Sequence, residues 1–448
     1  MALDQLPVYA TAALILAMIG SQVCRRSFDP FAPIWLFLVG YAQLYVVQAI
    51  SYRGWALRAR GPELVMWANL RALWALAWFL CVYHSGIGRR LARKLPAAPR
   101  GWSPGLIGAV APMMMAWGLA CAGLLAQTST EVNPAAEESI LRQFPIMLLV
   151  GGVLLLVTGR QRDRPRPVFT AAGLVVVVGY LLLWMFNGKR SHSMIAVLAG
   201  LCAYYAPRLR RPSLGVMGLT GVVCVLAVTL ALGWRDNRRH ETTTSGFIQF
   251  LGEFDPNSVL VNMNLKERDD DASLAGSASK ETEEYGGFLL MMATVPLLSD
   301  YDYGASYLRI VSTYIPRKLL WQDKPIFGRE AWVNAWIAGS EQVRTTKFTG
   351  PSIGILGAGQ LNGGPLGTAL MLAVVATIMR AGYEYYRFYA DRPWAQAWWS
   401  LTYFNAWMLT ANDDPSVFFY YMYGHAIFAP MLLLWAIHKL GVGGRVAA

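Results

Sequence analysis

The run VFTAAGLVVVVGYLLLWMF at residues 168–186 decides the fold, because it has no charged side chain and is long enough to cross a bilayer core as a helix. Four arginines stand before it, at positions 160, 162, 164 and 166, and the sequence NGKR follows it at 187–190. Similar runs recur along the chain, which is 55% apolar and only 15% charged, whereas soluble domains average about 25% charged residues. We therefore predict an all-α, polytopic helical membrane protein.

The apolar runs predict about eleven transmembrane helices, within a range of about 10–14, in a single transmembrane domain over residues 1–448. The predicted spans are residues 7–24, 31–50, 64–83, 105–125, 144–159, 168–186, 194–206, 214–232, 365–379, 395–409 and 417–437. The one long interruption is the segment 233–364, which contains 16 of the 27 acidic residues and 13 of the 39 Lys and Arg residues.

The loop cations predict the orientation of the spans. Loops on one side carry 19 Lys and Arg residues, whereas the short loops on the other side carry six. The positive-inside rule assigns the first set to the cytoplasm. The segment 233–364 then forms one long periplasmic loop. The net charge of +12 follows this distribution, so it does not indicate nucleic-acid binding.

The long loop has three kinds of composition. Residues 266–284 (KERDDDASLAGSASKETEE) are densely charged and lack aromatics, which predicts a solvated, flexible run. Residues 285–298 are apolar and too short for a span, which favours an interfacial or re-entrant element. Residues 301–321 mix aromatics with cations, a composition that suits either a membrane-interface anchor or a site for a sugar and a lipid phosphate.

Several cations of the predicted outer face stand next to span ends. They are Lys189, Arg190, Arg235, Arg317, Lys318, Lys324 and Arg344. Positive charge on this face opposes the usual bias, and a phosphate-bearing substrate would explain it, because Arg binds phosphate through paired N–H groups. The alternative for each cation is an ion pair with one of the loop acids.

Other residue types complete the predicted site. The base that takes a proton from an acceptor hydroxyl could be Glu253 or Asp255 in the long loop, or Asp413 or Asp414 in a later turn. His192 lies beside Arg190. Tyr314 belongs to a group of tyrosines suited to stacking on sugars. Arg71 lies inside a predicted span, where an ionisable residue indicates either a functional site or a side chain that snorkels to the surface.

The sequence contains no pattern for a metal or a nucleotide. There is no HExxH, P-loop or dinucleotide fingerprint. The DxD spacing at 269–271 lies within the charged run, where it is typical of solvated acids. We therefore predict no cofactor and no metal.

Four short motifs, in this order, resemble the O-antigen or oligosaccharide repeat-unit polymerases of the Wzy type. They are NGKRS at 187–191, GEF at 252–254, IPRK with DKP at 315–325, and the glycine-rich run from 350 to 367. The resemblance covers roughly residues 170–380. Related ligases carry a histidine before the glycine-rich run, whereas this chain reads TGPS at 349–352.

The resemblance implies a metal-independent glycosyltransferase of the GT-C-like kind in the bacterial inner membrane, acting on the periplasmic side. Its substrates would be undecaprenyl-diphosphate-linked oligosaccharides, which it would polymerise, with a chain-length regulator as a possible partner. By motif match, Arg190, Arg344 and Glu253 would be catalytic. The substrate contacts would be Lys189, His192, Arg235, Arg317, Lys318, Lys324 and Tyr314.

Two other functional classes stay open at this stage. A flippase or transporter for lipid-linked oligosaccharides would need charged residues inside several spans, and only Arg71 meets that requirement in the sequence. An outer-face acyl transferase would need a reactive histidine or serine near a path from a cytosolic donor.

Overall fold

The computed structural model describes residues 3–25, 28–127, 141, 143–237, 244–253, 284–308, 334, 353–411 and 424–441. The helical membrane class is confirmed: 82% of the structure is helical, and the described residues contain no strand. Among them, seven helices are long and apolar enough to cross a membrane, and the helices at Phe144–Gly159 and Ala426–Lys439 are apolar but shorter. The count of eleven spans, the single domain and the periplasmic loop stay predictions.

The chain forms two compact units. Unit 1 draws on Met1–Arg93, Asn264–Gly382 and Asn405–Tyr421. Its first helices are α1 Leu6–Cys24, α2 Pro33–Ala42, α3 Gln48–Ser51, α4 Arg53–Arg60, α5 Pro62–His84 and α6 Ile87–Lys94. Proline in the first turn starts α1, α2 and α5, because its fixed φ suits that turn and its missing N–H has no acceptor there anyway.

A π-helical segment, Gln43–Val47, joins α2 to α3 inside one predicted span. Helical segments of this kind hold one residue more per turn and are common at functional sites. Tyr45 in this segment and Gln48, the first residue of α3, are buried. Nearby, Phe37 stacks on Phe79 at 3.9 Å, and the Tyr41 hydroxyl donates to the carbonyl of Ala72, which ties α2 to α5.

Unit 2 draws on Lys94–Met263, Tyr383–Phe404 and Met422–Ala448. Its helices include α7 Pro104–Gln127, α8 Met147–Gly159, α9 Pro167–Phe186, α10 Arg190–Tyr205, α11 Leu214–Asn237 and α12 Thr244–Gly252. The residues of α8 are buried from Leu148 to its end, so this short helix forms the centre of the unit. Glycine allows close packing on both sides: a Cβ on Gly151 would lie 2.8 Å from the Ala111 carbonyl oxygen, and one on Gly173 would lie 2.7 Å from the Leu156 nitrogen.

The second half of the chain adds α13 Glu284–Thr294, α14 Gly354–Leu361, α15 Gly364–Phe388, α16 Pro393–Thr402, α17 Asn405–Ala411 and α18 Ala429–Lys439. Helices α13 and α14 belong to the core of unit 1, where they pack on each other. This arrangement corrects one expectation: Glu284, predicted to end a solvated charged run, is only 4% exposed and begins a buried helix.

Candidate functional site

The turn between α9 and α10 holds the two predicted cations Lys189 and Arg190. Gly188, at φ +65°, ends α9, since glycine adopts this left-handed conformation without strain. The Gly188 N–H donates to the Met185 carbonyl and the Lys189 N–H to the Trp184 carbonyl, at 3.0 and 2.9 Å. These two bonds form the capping motif that reverses the chain, so α10 begins directly at Arg190.

The start of α10 is therefore the electropositive end of a helix that also carries two cations. Lys189 is exposed and Arg190 half-buried. Helix N-termini favour anions, because their first N–H groups point outward and the helix dipole is positive there. The first turn of α10 is a suitable place for a phosphate group.

The arginine-rich loop 160–166 lies at the other end of α10. Arg160 donates from Nε to the Tyr204 carbonyl, and its guanidinium lies 3.8 Å from the centre of the Tyr204 ring. At 1.5 Å per residue, Arg190 and Tyr204 are separated by about 21 Å along the helix axis. Unit 2 thus separates the many loop cations at one end from Lys189 and Arg190 at the other.

His192 lies in the first turn of α10 against aromatic rings. Its ring is 4.3 Å from that of Trp184, and Nδ1 is 3.3 Å from the Ser191 hydroxyl. Burial among these rings, together with the positive charge of Lys189, holds the pKa of His192 well below its usual range. His192 is therefore neutral near pH 7, so it can donate or accept a hydrogen bond but carries no positive charge there.

A buried tryptophan connects the turn to α11 and α12. Trp234 donates from Nε1 to the Phe186 carbonyl at 2.7 Å, and its ring contacts those of Phe247 and Phe250 on α12. Arg235 follows Trp234 in the last turns of α11. The structure therefore brings the backbone of Arg235, the Lys189–Arg190 pair and α12 to the same end of unit 2.

Glu253 follows α12 at an exposed position. Its carboxylate accepts a hydrogen bond from Gln249 Nε2 at 2.9 Å, and its backbone N–H donates to the Gln249 carbonyl. Glu253 lies about one turn beyond Phe250, whose ring contacts Trp234 at the end of unit 2 that carries Arg190. The carboxylate makes no ion pair with another described residue.

The remaining predicted site residues lie outside the described part of the chain. They are Tyr314, Arg317, Lys318, Lys324 and Arg344. Their convergence with Arg190 stays a prediction. The alternative bases Asp255, Asp413 and Asp414 also lie outside that part.

Unit 1 contains a buried polar cluster that the sequence analysis missed. Gln48 donates from Nε2 to Glu284 Oε2 at 2.9 Å and accepts from the Tyr285 N–H at 3.1 Å, so its amide caps the start of α13. The α13 N-terminus itself favours the negative charge of Glu284. The Tyr45 hydroxyl accepts from the Leu356 N–H in the first turn of α14.

The cluster continues toward the surface of unit 1. The Tyr285 hydroxyl donates to Asn69 Oδ1 at 2.7 Å, and Asn69 Nδ2 donates to the Asp4 carbonyl. The Asp4 carboxylate then pairs with Arg53 through two hydrogen bonds. The sequence gives little sign of this cluster. Its polar residues at positions 4, 48 and 69 are far apart, and each stands within an otherwise apolar run.

No group of three or more His, Cys, Asp or Glu side chains comes together as a metal site within the described ranges. No protein-family model, curated protein or solved structure matches the chain.

Proposed function

We propose that the protein polymerises lipid-linked oligosaccharides by glycosyl transfer, with a lipid diphosphate as the leaving group. The observation that supports this proposal is the coincidence of Lys189, Arg190 and the N-terminus of α10 at one end of unit 2. A departing diphosphate gains negative charge in the transition state, and fixed cations and helix N–H groups stabilise such charge.

The other residues have defined roles in the proposal. Glu253, on the same end of unit 2, accepts the proton of the attacking sugar hydroxyl. His192, neutral at pH 7, donates or accepts a hydrogen bond beside the phosphate. Arg235 and the cations at 317, 318, 324 and 344 add positive charge, and Tyr314 stacks on a sugar. The reaction takes place on the periplasmic side of the bacterial inner membrane.

Purified protein in nanodiscs, supplied with a synthetic undecaprenyl-diphosphate oligosaccharide, tests this function. We expect longer lipid-linked products from the wild-type protein and a loss of about a hundredfold in rate for Arg190→Gln, since removal of one donor to a developing anion has effects of that order. Arg164→Gln, which removes an exposed arginine from the opposite end of unit 2, is the matched control.

The experiment tests the proposed activity and the proposed site independently. If the wild-type protein leaves product length unchanged, the polymerase proposal is wrong. If it lengthens the product but Arg190→Gln does so equally well, the activity stands and the site is wrong.

The buried polar cluster of unit 1 favours a second candidate, a flippase for lipid-linked oligosaccharides. Polar and charged residues within the spans of a membrane protein are characteristic of transport paths, and Asp4, Gln48 and Asn69 lie within candidate spans. The test uses liposomes that contain the protein and the same lipid-linked oligosaccharide. A flippase would change the leaflet that exposes the oligosaccharide without changing the length of the oligosaccharide.

A further inference from the structure

Arg71 is a charged residue inside a candidate membrane span, and it has no acidic partner among the residues that the structure describes. It lies in α5, about 13 Å along the helix axis from its first residue. Its Nη1 donates to Gln360 Oε1 at 3.1 Å. No carboxylate lies within ion-pair distance of Arg71 among the residues that the structure describes. Gln360 is neutral, so the positive charge is not compensated within this part of the chain.

The side chain of Arg71 is nevertheless held in place. Gln360, in α14, is 5% exposed, and its Nε2 donates to the Val295 carbonyl at 2.6 Å. This bond fixes the amide so that its oxygen faces the guanidinium. Arg71 is half-buried, and a guanidinium has five N–H donors, of which Gln360 accepts one. The remaining donors suit an anion that offers two or more acceptor oxygens, as a carboxylate or a phosphate does.

Arg71 shares one face of α5 with exposed aromatic side chains. Trp67, Trp74 and Trp78 are 55%, 42% and 40% exposed, and with Arg71 they follow the spacing that places residues on one helix face. This row is the tryptophan stripe of α5. Because α5 is long and apolar enough to cross a membrane, its exposed tryptophan stripe is suited to contact with lipid.

A second apolar row adjoins the first. Trp78 donates from Nε1 to the Ala369 carbonyl of α15 at 2.9 Å, which holds the two helices together. On α15, Leu366, Leu370 and Val374 recur at intervals of four and are all exposed. These residues form the aliphatic stripe of α15. The described part of unit 1 thus offers two neighbouring apolar stripes next to the Arg71 guanidinium.

We propose that Arg71 binds the phosphate of an anionic phospholipid, with one acyl chain along Trp74 and Trp78 of the tryptophan stripe and the other along the aliphatic stripe. The positive charge of Arg71 favours an anion, and its position in a candidate membrane span favours a lipid. The two apolar stripes suit a lipid with two acyl chains. The site is in unit 1 and does not depend on the proposed glycosyl transfer.

Native mass spectrometry of the purified protein tests the site. The protein is titrated separately with phosphatidylglycerol and with phosphatidylethanolamine. We expect one phosphatidylglycerol to bind more tightly than phosphatidylethanolamine, and Arg71→Gln to weaken that binding about tenfold, as expected for the loss of a charge-assisted hydrogen bond. The control is Arg58→Gln, which removes an exposed arginine outside the span and should leave binding unchanged.

Equal binding of phosphatidylglycerol by Arg71→Gln and wild-type protein would overturn the proposal. Displacement of phosphatidylglycerol by a lower concentration of undecaprenyl phosphate would reassign the site to a single-chain lipid. If Arg71→Gln does not fold, benzoylphenylalanine in place of Trp74 decides the question with Arg71 intact. Photocrosslinking to phosphatidylglycerol in preference to phosphatidylethanolamine supports the site, and absent or equal crosslinking refutes it.

Discussion

Removal of the Tyr285 hydroxyl should measure how much the buried polar cluster contributes to stability. The residue is fully buried, and its hydroxyl donates to Asn69 Oδ1 at 2.7 Å. In Tyr285→Phe the ring remains, but the Asn69 oxygen loses its donor while Nδ2 stays bonded to Asp4. An unsatisfied buried polar group costs about 1–3 kcal/mol.

Membrane hydrogen bonds often contribute less, about 0.6 kcal/mol on average and up to about 1.7, because the altered protein finds new partners. Asn69 is 3% exposed, so neither water nor another donor reaches its oxygen easily. We therefore expect Tyr285→Phe to lower the free energy of unfolding by about 1.5 kcal/mol, toward the upper end of that range.

Equilibrium unfolding in mixed detergent and dodecyl sulfate, followed by tryptophan fluorescence, provides the measurement. Tyr303→Phe is the matched control, because Tyr303 is 80% exposed and its change should stay within about 0.5 kcal/mol. In a double-mutant cycle with Asn69→Leu, we expect a coupling of about 1 kcal/mol. A coupling near zero, or equal effects of the two tyrosine changes, would refute the reasoning.

Three further predictions follow from single contacts. Gly354→Ala should destabilise unit 1 by about 1–3 kcal/mol, which is more than the effect of Gly61→Ala. Both glycines have positive φ, but a Cβ at position 354 would lie 2.9 Å from the Tyr45 hydroxyl oxygen, whereas a Cβ at position 61 would meet no atom within 4 Å. Equal unfolding midpoints would exclude the clash. Trp234→Phe removes the bond to the Phe186 carbonyl, so hydrogen exchange of the amides at 187–190 should accelerate; unchanged exchange would show that the bond does not restrain the turn. His192 has a lowered pKa in the folded protein, so the unfolded chain binds more protons below about pH 6.5 and stability should fall as the pH drops. His192→Gln should reduce this slope, measured as unfolding midpoints between pH 7.5 and 4.5, and an identical slope would contradict the assignment.

The helices were predictable because the bilayer imposes a length and a composition on each span. All seven of the long apolar helices overlap predicted spans, and the sharp turn at Gly188 follows from the Asn187-Gly188 pair that ends an apolar run. The placement of Lys189 and Arg190 at the start of α10 was therefore accessible from local sequence.

The buried cluster was not predictable, because its members are far apart in the chain. Glu284 follows a densely charged run, and that local composition predicts solvent exposure. Its burial depends on Gln48, which is 236 positions away in sequence. Hydropathy patterns describe the average environment of a segment, whereas the position of one carboxylate depends on a tertiary partner.

The π-helical segment at Gln43–Val47 has a consequence for how this chain tolerates change. Each residue of an α-helix advances the side-chain direction by about 100°, and the segment adds one residue to its turn. Deletion of a single residue there would restore regular winding and leave Gln48 in nearly the same direction, because the residue removed is the extra one of the π turn. A deletion in the regular α-helical turns of α2 lacks this compensation and would rotate Gln48 by about 100°, away from Glu284 and Tyr285. The π-helical segment thus tolerates a deletion that the neighbouring regular turns would not, because the angular phase of the helix aligns the amide with its two partners.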